Sequence, residues 1–418
     1  MPFSASAIAS FRVRSYRFQW PADLATSWAF EMETLILGWY VLVETGSVLL
    51  LTVFASLQHI GTLIAPMFGV VGDRIGARNL LCAMRTVYAL LALTVMTLAF
   101  TEVLTPVYVL VTAGIMGLVR PSDVGMRAAL VGETMPPAQL MSAMGIQRTT
   151  MDSARIVGAL SGAGLVAALG MGPAYVVVAS FYAVSVLLTL QTGGRERKHI
   201  NASRTNASIR VSPWRELKEG LNYVRQTPQL FAVMCLAFLL NVTAYPQMNG
   251  LLPYVVKQIY QANQTWLGYM VAAGASGALV GSVALSRYGA AIRPARTMVI
   301  FSALWFVMLL IFGNTQNATY GILVFVMAGL MQSIGQVPMA AMLLRTTEAQ
   351  YRARVMGIRM LAIYGNLIGL MIAGPLIARG GYGLMATLFC TFGLTFIVLI
   401  TLRWRTHFWH AQALANRR

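Results

Sequence analysis

Apolar runs of roughly 20 residues recur along the whole chain, the length at which a helix crosses a bilayer core. No other feature limits the fold so sharply. A backbone in hydrocarbon must satisfy its own hydrogen bonds, so runs of this kind form membrane helices. Composition agrees: 57% of residues are hydrophobic and 11% charged, where soluble domains carry about 25% charged residues. Mean hydropathy is +0.67. The expected fold class is an all-α membrane protein with twelve transmembrane helices, from roughly 21–43 to roughly 383–402. The first residues are basic and aromatic, without the apolar core and cleavage site of a removable signal peptide.

The formal net charge of +18 invites a nucleic-acid partner, but topology explains it better. With both termini cytoplasmic, Lys257 and Arg379 alone fall at the other ends of the spans. Arg120, Arg148, Arg155 and Arg359 fall within spans, and the rest of the 31 lysines and arginines lie at or near cytoplasmic ends. That asymmetry is the positive-inside rule. A multi-pass plasma-membrane protein is expected, in a bacterial inner membrane, with membrane lipid around it and no nucleic-acid partner. Cys82, Cys235 and Cys390 are spaced for neither a metal nor a disulfide. No phosphate-binding loop or hydrolase motif appears. No cofactor, no metal and no enzymatic activity are expected.

The chain repeats itself at an offset of about 212 residues, the spacing of Met144-Gly145-Ile146 from Met356-Gly357-Ile358. Gly162 falls opposite Gly374, and Gly69 opposite Gly281. With one inserted residue, Arg74 and Gly76 fall opposite Arg287 and Gly289, but the second copy has Leu285 near the place of Asp73. Two six-helix halves result, 1–192 and 230–418, joined by a cytoplasmic linker, 193–229. Trp214, Leu217, Leu221 and Val224 give the linker an amphipathic helix suited to a membrane surface. Halves related in this way suit alternating access.

Charge at membrane depth costs about 2.5–3.5 kcal/mol per residue on insertion scales and so requires a reason. Glu31 and Glu33 lie in span 1, Arg120 and Asp123 in span 4, and Arg148, Asp152 and Arg155 in span 5. Arg120, Asp123 and Arg127 share one helix face, and Arg148, Asp152 and Arg155 form an i, i+4, i+7 ladder. Asp123 and Asp152 thus have basic partners on their own helices. They serve either as proton-dependent switches or as fixed ion pairs. Glu31 and Glu33 point about 200° apart on a helix, so one faces a cavity and the other a neighbouring helix. Neither has a basic residue nearby in span 1, which favours titration near neutral pH. Glu31 is the expected proton carrier, with Glu33 next and Trp28 one turn before Glu31 as a substrate contact. Arginines at membrane depth favour a substrate with anionic or metal-chelating oxygens, unless they serve only the acids. In the second half, Asn241, Tyr245, Gln247 and Asn249, between breaks at Pro246 and Pro253, are expected substrate contacts. Gln332 and Gln336, one turn apart, join them. Interhelical glue is the alternative role for each amide.

The turn Gly69-Val70-Val71-Gly72-Asp73-Arg74-Ile75-Gly76-Ala77-Arg78 packs an acid and two arginines between two spans, which fixes it at a membrane surface. It closely resembles the signature loop of the major facilitator superfamily, with Ala77 in place of one basic residue. The resemblance implies the twelve-helix major facilitator fold and, for Gly69, Gly72, Asp73, Arg74, Gly76 and Arg78, a gate role: the loop latches the cytoplasmic side closed. Leu37-Gly38-Trp39-Tyr40, the Glu216–Leu230 run, Leu251-Leu252-Pro253, Arg155-Ile156-Val157-Gly158 and Arg352–Gly357 resemble the branch containing the enterobactin exporter and the macrolide-efflux proteins. Ala159 and Ala353 depart from that branch's pattern. The branch implies a monomeric secondary transporter that exports a small-molecule substrate, a siderophore or drug, commonly as an antiporter driven by protons. Uptake of a nutrient or vitamin-like molecule by the same fold, or a non-transporting receptor or scaffold, are the competing readings.

Overall fold

The computed structural model describes residues 10–193, 213–288, 292–348 and 351–404. Among them there is no strand. Among the described residues, nine helices are long and apolar enough to cross a membrane. The first helix carries Asp23, Glu31 and Glu33 among its apolar residues, and the second span is broken. Leu, Val, Ile and Phe side chains such as Val107, Leu187, Val280, Leu323 and Leu402 are exposed on the outside of these helices, as lipid-facing surfaces require. The chain forms two compact units, Met1–Ala207 with Asn263–Ala272, and Ser208–Ala262 with Ala273–Arg418.

In the first unit, α1 (Arg14–Thr45) runs 32 residues and ends at Gly46, whose φ of 61° makes the left-handed cap. Ser47 then caps α2 (Val48–Leu57) by accepting from the Leu50 N–H. The expected single second span is interrupted: a 3₁₀ turn at Ile60–Leu63 follows α2, and α3 (Ala65–Ile75) restarts with Pro66 in its first turn. Gly76, at φ 89°, breaks the chain before α4 (Ala77–Phe100). Then come α5 (Pro106–Thr134), α6 (Pro137–Leu169) and α7 (Met171–Leu190). Pro106 and Pro137 stand in the first turns of α5 and α6, where no N–H is required. The core lies where α1, α4, α5 and α7 meet, and includes Met32, Ile36, Tyr88, Val95, Tyr175 and Tyr182.

A proline and a glycine on neighbouring elements make one close crossing of this unit. Pro121, inside α5, has no N–H to give to the Gly117 carbonyl four residues earlier. Gly61 backs onto that carbonyl: a methyl group at Gly61 would lie 2.3 Å from the Gly117 oxygen. Any side chain there would drive the two elements apart.

The second unit opens with α8 (Pro213–Gln226), the amphipathic helix expected of the linker. The linker's basic cluster, Arg195 to Arg210, lies outside the described residues. After α9 (Pro228–Thr243) the seventh span is irregular. Two π-helical segments, Pro246–Gly250 and Val255–Ile259, flank a helical turn at Leu252–Tyr254. Then follow α10 (Gln264–Tyr288), whose residues up to Ala272 belong to the first unit, α11 (Pro294–Gly313), α12 (Ala318–Thr346), α13 (Arg352–Leu361) and α14 (Tyr364–Arg403). Gly381, at φ 77° and ψ 171°, divides α14 into two helical legs. Here too a proline frees a carbonyl that a glycine covers. Pro246 leaves Val242 without its i+4 donor, and a methyl at Gly369 would lie 1.9 Å from the Val242 oxygen. Tyr223 of α8 stacks on Tyr351 at 4.2 Å and its hydroxyl accepts from the Glu348 N–H, which ties α8 to the start of α13.

Candidate functional site

The first unit carries the charge. Asp23 and Glu31 on α1, Arg85 on α4, and Arg120, Asp123 and Arg127 on α5 converge with α6 at one place. Four of these form a closed ring of alternating sign. Arg85 donates to Asp23, and its Nε lies 3.8 Å from Asp123 Oδ1. Arg127 Nη2 lies 2.5 Å from Asp123 Oδ2, and its Nε lies 3.8 Å from Asp23 Oδ1. All four are buried. Two cations and two anions cancel, so the ring adds no net charge to the interior and avoids the cost of an unpaired one. Polar neighbours hold it: Arg85 also donates to Thr189 on α7, and Arg127 to Ser27 at 2.8 Å.

Neither Asp23 nor Arg85 stood out in the sequence. Arg85 is close enough to a cytoplasmic helix end to be counted with the positive-inside charges, and Asp23 sits at the start of the first span. A buried acid two turns before the Glu31–Glu33 pair was the available signal.

Beside the ring lies a cavity of about 190 Å³. It brings together Glu31, Arg120, Asp123, Arg148, Asp152 and Arg155, six of the seven in-span charges expected to act together. Arg120 Nη2 stands 3.8 Å from Glu31 Oε1, and its guanidinium lies over the Phe30 ring. Arg148 donates to Asp152 at 3.1 Å, one turn along α6. Span 1 offers Glu31 no basic residue, as expected, and α5 supplies Arg120 as its tertiary partner. Arg120 in turn pairs with Glu31, while Asp123 is held by Arg127 and Arg85.

Glu33 is turned the other way, into α7. It accepts from Tyr182 at 2.9 Å and from Tyr175 at 3.4 Å and is buried. Tyr182 packs against Tyr88, ring centroids 5.5 Å apart, and Tyr88 lines the cavity. Trp28 sits edge-on to Phe181 of α7 and is not among the residues lining the cavity. Trp28 and Glu31 nevertheless stand on the same side of α1, since a methyl at Gly158 of α6 would meet the Glu31 Cβ at 2.8 Å and the Trp28 carbonyl oxygen at 3.1 Å.

The second-unit amides are distributed differently. Gln247 is fully buried, donates to the Thr243 carbonyl at 2.9 Å and lies 3.7 Å from Cys390 Sγ. It packs α14 against the seventh span, the interhelical role that stood as the alternative to substrate contact. Asn241 spends its amide on the Ala237 carbonyl of its own helix, at 2.8 Å. Tyr245 meets Trp305 edge-on at 5.4 Å. Gln332 is buried, Gln336 partly so, and Asn249 is exposed.

In the charged turn, Asp73 and Arg74 complete the last turn of α3. A methyl at Gly72 would meet Met126 Sδ of α5 at 2.7 Å, so this glycine lets α3 approach α5. Arg78 donates to the Leu190 carbonyl and so caps α7 at the end where a cation is favoured. The side chain of Asp73 and the partner glycine Gly289 lie outside the described residues.

A family model described as Major Facilitator Superfamily matches residues 20–364. No curated protein sequence matches the chain. Among solved structures, the nucleoside transporter NupG is similar at a TM-score of 0.69 and 15% identity, covering 95% of this chain and 99% of its own. A POT family transporter solved with a thioalcohol-conjugated peptide gives 0.70 and 12%, covering 95% and 97%. The human organic anion transporter MFSD10 gives 0.61 and 15%, covering 93% and 99%. At these identities the likeness is one of fold.

Proposed function

The chain belongs to the major facilitator superfamily, and from that premise we propose that it is a proton-coupled exporter of a small organic molecule, siderophore-like or drug-like. That it is a multi-pass membrane transporter of this type follows from the family and the fold. The proton-coupled part rests on one observation: Glu31 meets Arg120 at 3.8 Å on the wall of a cavity. When Glu31 takes a proton, its hold on Arg120 is lost and the guanidinium is released to another partner. When it gives the proton up, the ion contact reforms. The cycle thus ties proton occupancy to the packing of α1 on α5. Glu33, oriented by two tyrosines, is a second proton-holding carboxyl behind it, and Asp152 a third on α6.

Export rather than uptake rests on the resemblance to the exporter branch. A bacterial inner membrane with both termini cytoplasmic rests on the distribution of basic residues. Asn249 and Gln336 retain the role of substrate contacts in the second half. Asp73, Arg74 and Arg78 retain that of the cytoplasmic gate.

The test is flux of a labelled catecholate in everted and right-side-out vesicles under an imposed pH gradient. Gradient-driven accumulation in everted vesicles, lost in Glu31→Gln protein that still reaches the membrane, is the expected result. Accumulation only in right-side-out vesicles would assign uptake instead. Unchanged pH dependence in the variant would remove Glu31 from the coupling.

A further inference from the structure

Arg120 borders two cavities, and a different glutamate lines each. Glu31 lines the cavity of about 190 Å³. A second space of about 10 Å³ is lined by Glu33, Thr34, Gln58 and apolar side chains of α1, α2 and α5, and has room for one water molecule at most. Phe30 and Arg120 are the two residues common to both linings, so they form the partition between the two spaces. The guanidinium lies over the Phe30 ring, a contact that holds a cation at the boundary without fixing it to either acid. From there it meets Glu31 at 3.8 Å, and its charge also acts on Glu33.

Charge counting decides what these three groups can do together. The other charged and titratable groups around Arg120 are Tyr88 on α4, Arg127 on its own helix, Tyr182 on α7 and His59 at the break after α2, with Arg148, Asp152 and Arg155 across the cavity on α6. Arg127 is engaged in the ring, Arg148 pairs with Asp152, and His59 sets its Nδ1 3.0 Å from the Ala55 carbonyl oxygen. Glu33 faces Tyr175 and Tyr182 besides Arg120. Glu31 and Glu33 therefore share one guanidinium. A buried carboxylate without a cation is costly and takes up a proton instead, so one of the two is neutral.

We propose that Glu31 and Glu33 hold one proton between them, exchanged as Arg120 moves across the Phe30 partition. In one state Glu31 is ionised against Arg120 and Glu33 is protonated between its tyrosines. In the other, Glu31 carries the proton and Arg120 pairs with ionised Glu33. The proton passes from one carboxyl to the other as the guanidinium crosses the opposite way, and the three groups sum to zero charge in both states. The tyrosine hydroxyls suit either form of Glu33, since a hydroxyl both donates and accepts. The inference rests on the transporter reading above and names the partner to which Arg120 is released.

Infrared spectroscopy of the full-length protein in nanodiscs, at neutral pH and with neither gradient nor substrate, reads the carbonyl stretch of protonated carboxyls. The double variant Glu31→Gln with Glu33→Gln supplies the baseline that subtracts every other acid. Against it, the wild type is expected to show a band worth one carboxyl. Each single glutamine variant should show none, because Arg120 then serves the remaining acid and keeps it ionised. Arg120→Gln should double the wild-type band, with both acids protonated. A band of wild-type strength surviving in either single variant overturns the proposal, since that acid would hold its proton independently of the other. A wild type with no band or with two, or an Arg120→Gln band equal to the wild type's, overturns it equally. Glu31→Gln keeps the size of the side chain at a part-exposed position, so its result does not depend on the folding of Arg120→Gln. The expected bands without gradient-driven flux would sink the coupling reading and leave the shared proton standing, whereas flux with a band surviving in a single variant would sink the sharing alone.

Discussion

Arg85 is the residue on which the interior charge balance turns. It is 0% exposed and faces both Asp23 and Asp123. Removing one partner of a buried ion network strands the others, at about 3–5 kcal/mol. Arg85→Gln should therefore lower the unfolding temperature of the purified protein and the yield of folded material. The double variant Arg85→Gln with Asp23→Asn should recover part of that loss. Loss in the double variant equal to the sum of the two single losses would mean the pair is not coupled. The rest of the site was partly legible. Helical spacing placed Arg120, Asp123 and Arg127 on one face and ordered the α6 ladder, because those relations lie within a single helix. It also set Glu31 and Glu33 on opposite sides of α1. Which acid would find a basic partner was not legible, since Arg120 reaches Glu31 across two helices. The same holds for Gln247, whose burial against Cys390 is a tertiary fact.

At the scale of elements, the informative devices are the two proline–glycine crossings. Pro121 with Gly61, and Pro246 with Gly369, each set a freed carbonyl against a residue without a side chain. The prolines are visible as helix interrupters from sequence, but their glycine partners are not, because they lie on other elements. Gly61→Ala would force a methyl within 2.2 Å of the Leu118 oxygen, a contact that only backbone movement relieves. Overpacking of this kind costs about 1–3 kcal/mol, and here it falls on backbone atoms. Thermal unfolding of Gly61→Ala should show a clear loss, while Gly114→Ala should be near neutral, since a methyl there meets only Leu57 at 3.8 Å. Equal behaviour of the two would remove the close crossing as a determinant of stability. The break in the second span belongs at this scale as well. Hydropathy runs through Gly61 and Pro66 without a change, so an apolar count reads one helix where backbone chemistry makes two.

The whole molecule is built from two units, and the ion pairs described above lie in the first. The repeat offset was readable because glycines and arginines at helix ends survive in both copies. The structure extends it: Gly117 and Gly329 lie one repeat apart, and each sits against a neighbouring backbone carbonyl, of Leu57 and Gly274 respectively. The acid of the charged turn has no counterpart in the second copy. If that turn is a gate, its effect is on cycling between states and not on the cavity. Asp73→Asn should then leave ligand binding within about twofold while slowing gradient-driven flux by tenfold or more. Binding lost with flux retained would contradict a gate.

The charges of α1 also set a timetable for synthesis. Asp23, Glu31 and Glu33 emerge in the first helix, yet Arg85 follows Asp23 by 62 residues and Tyr182 follows Glu33 by 149. At roughly 5–20 residues per second, Tyr182 arrives roughly 7–30 s after Glu33. Released alone into lipid, α1 would carry three uncompensated acids. It must therefore wait beside the insertion machinery until α4, α5 and α7 have been made. Cross-links from α1 to that machinery should persist in nascent chains shorter than Tyr182 and vanish in longer ones. The helix that enters the membrane first is among the last to settle there.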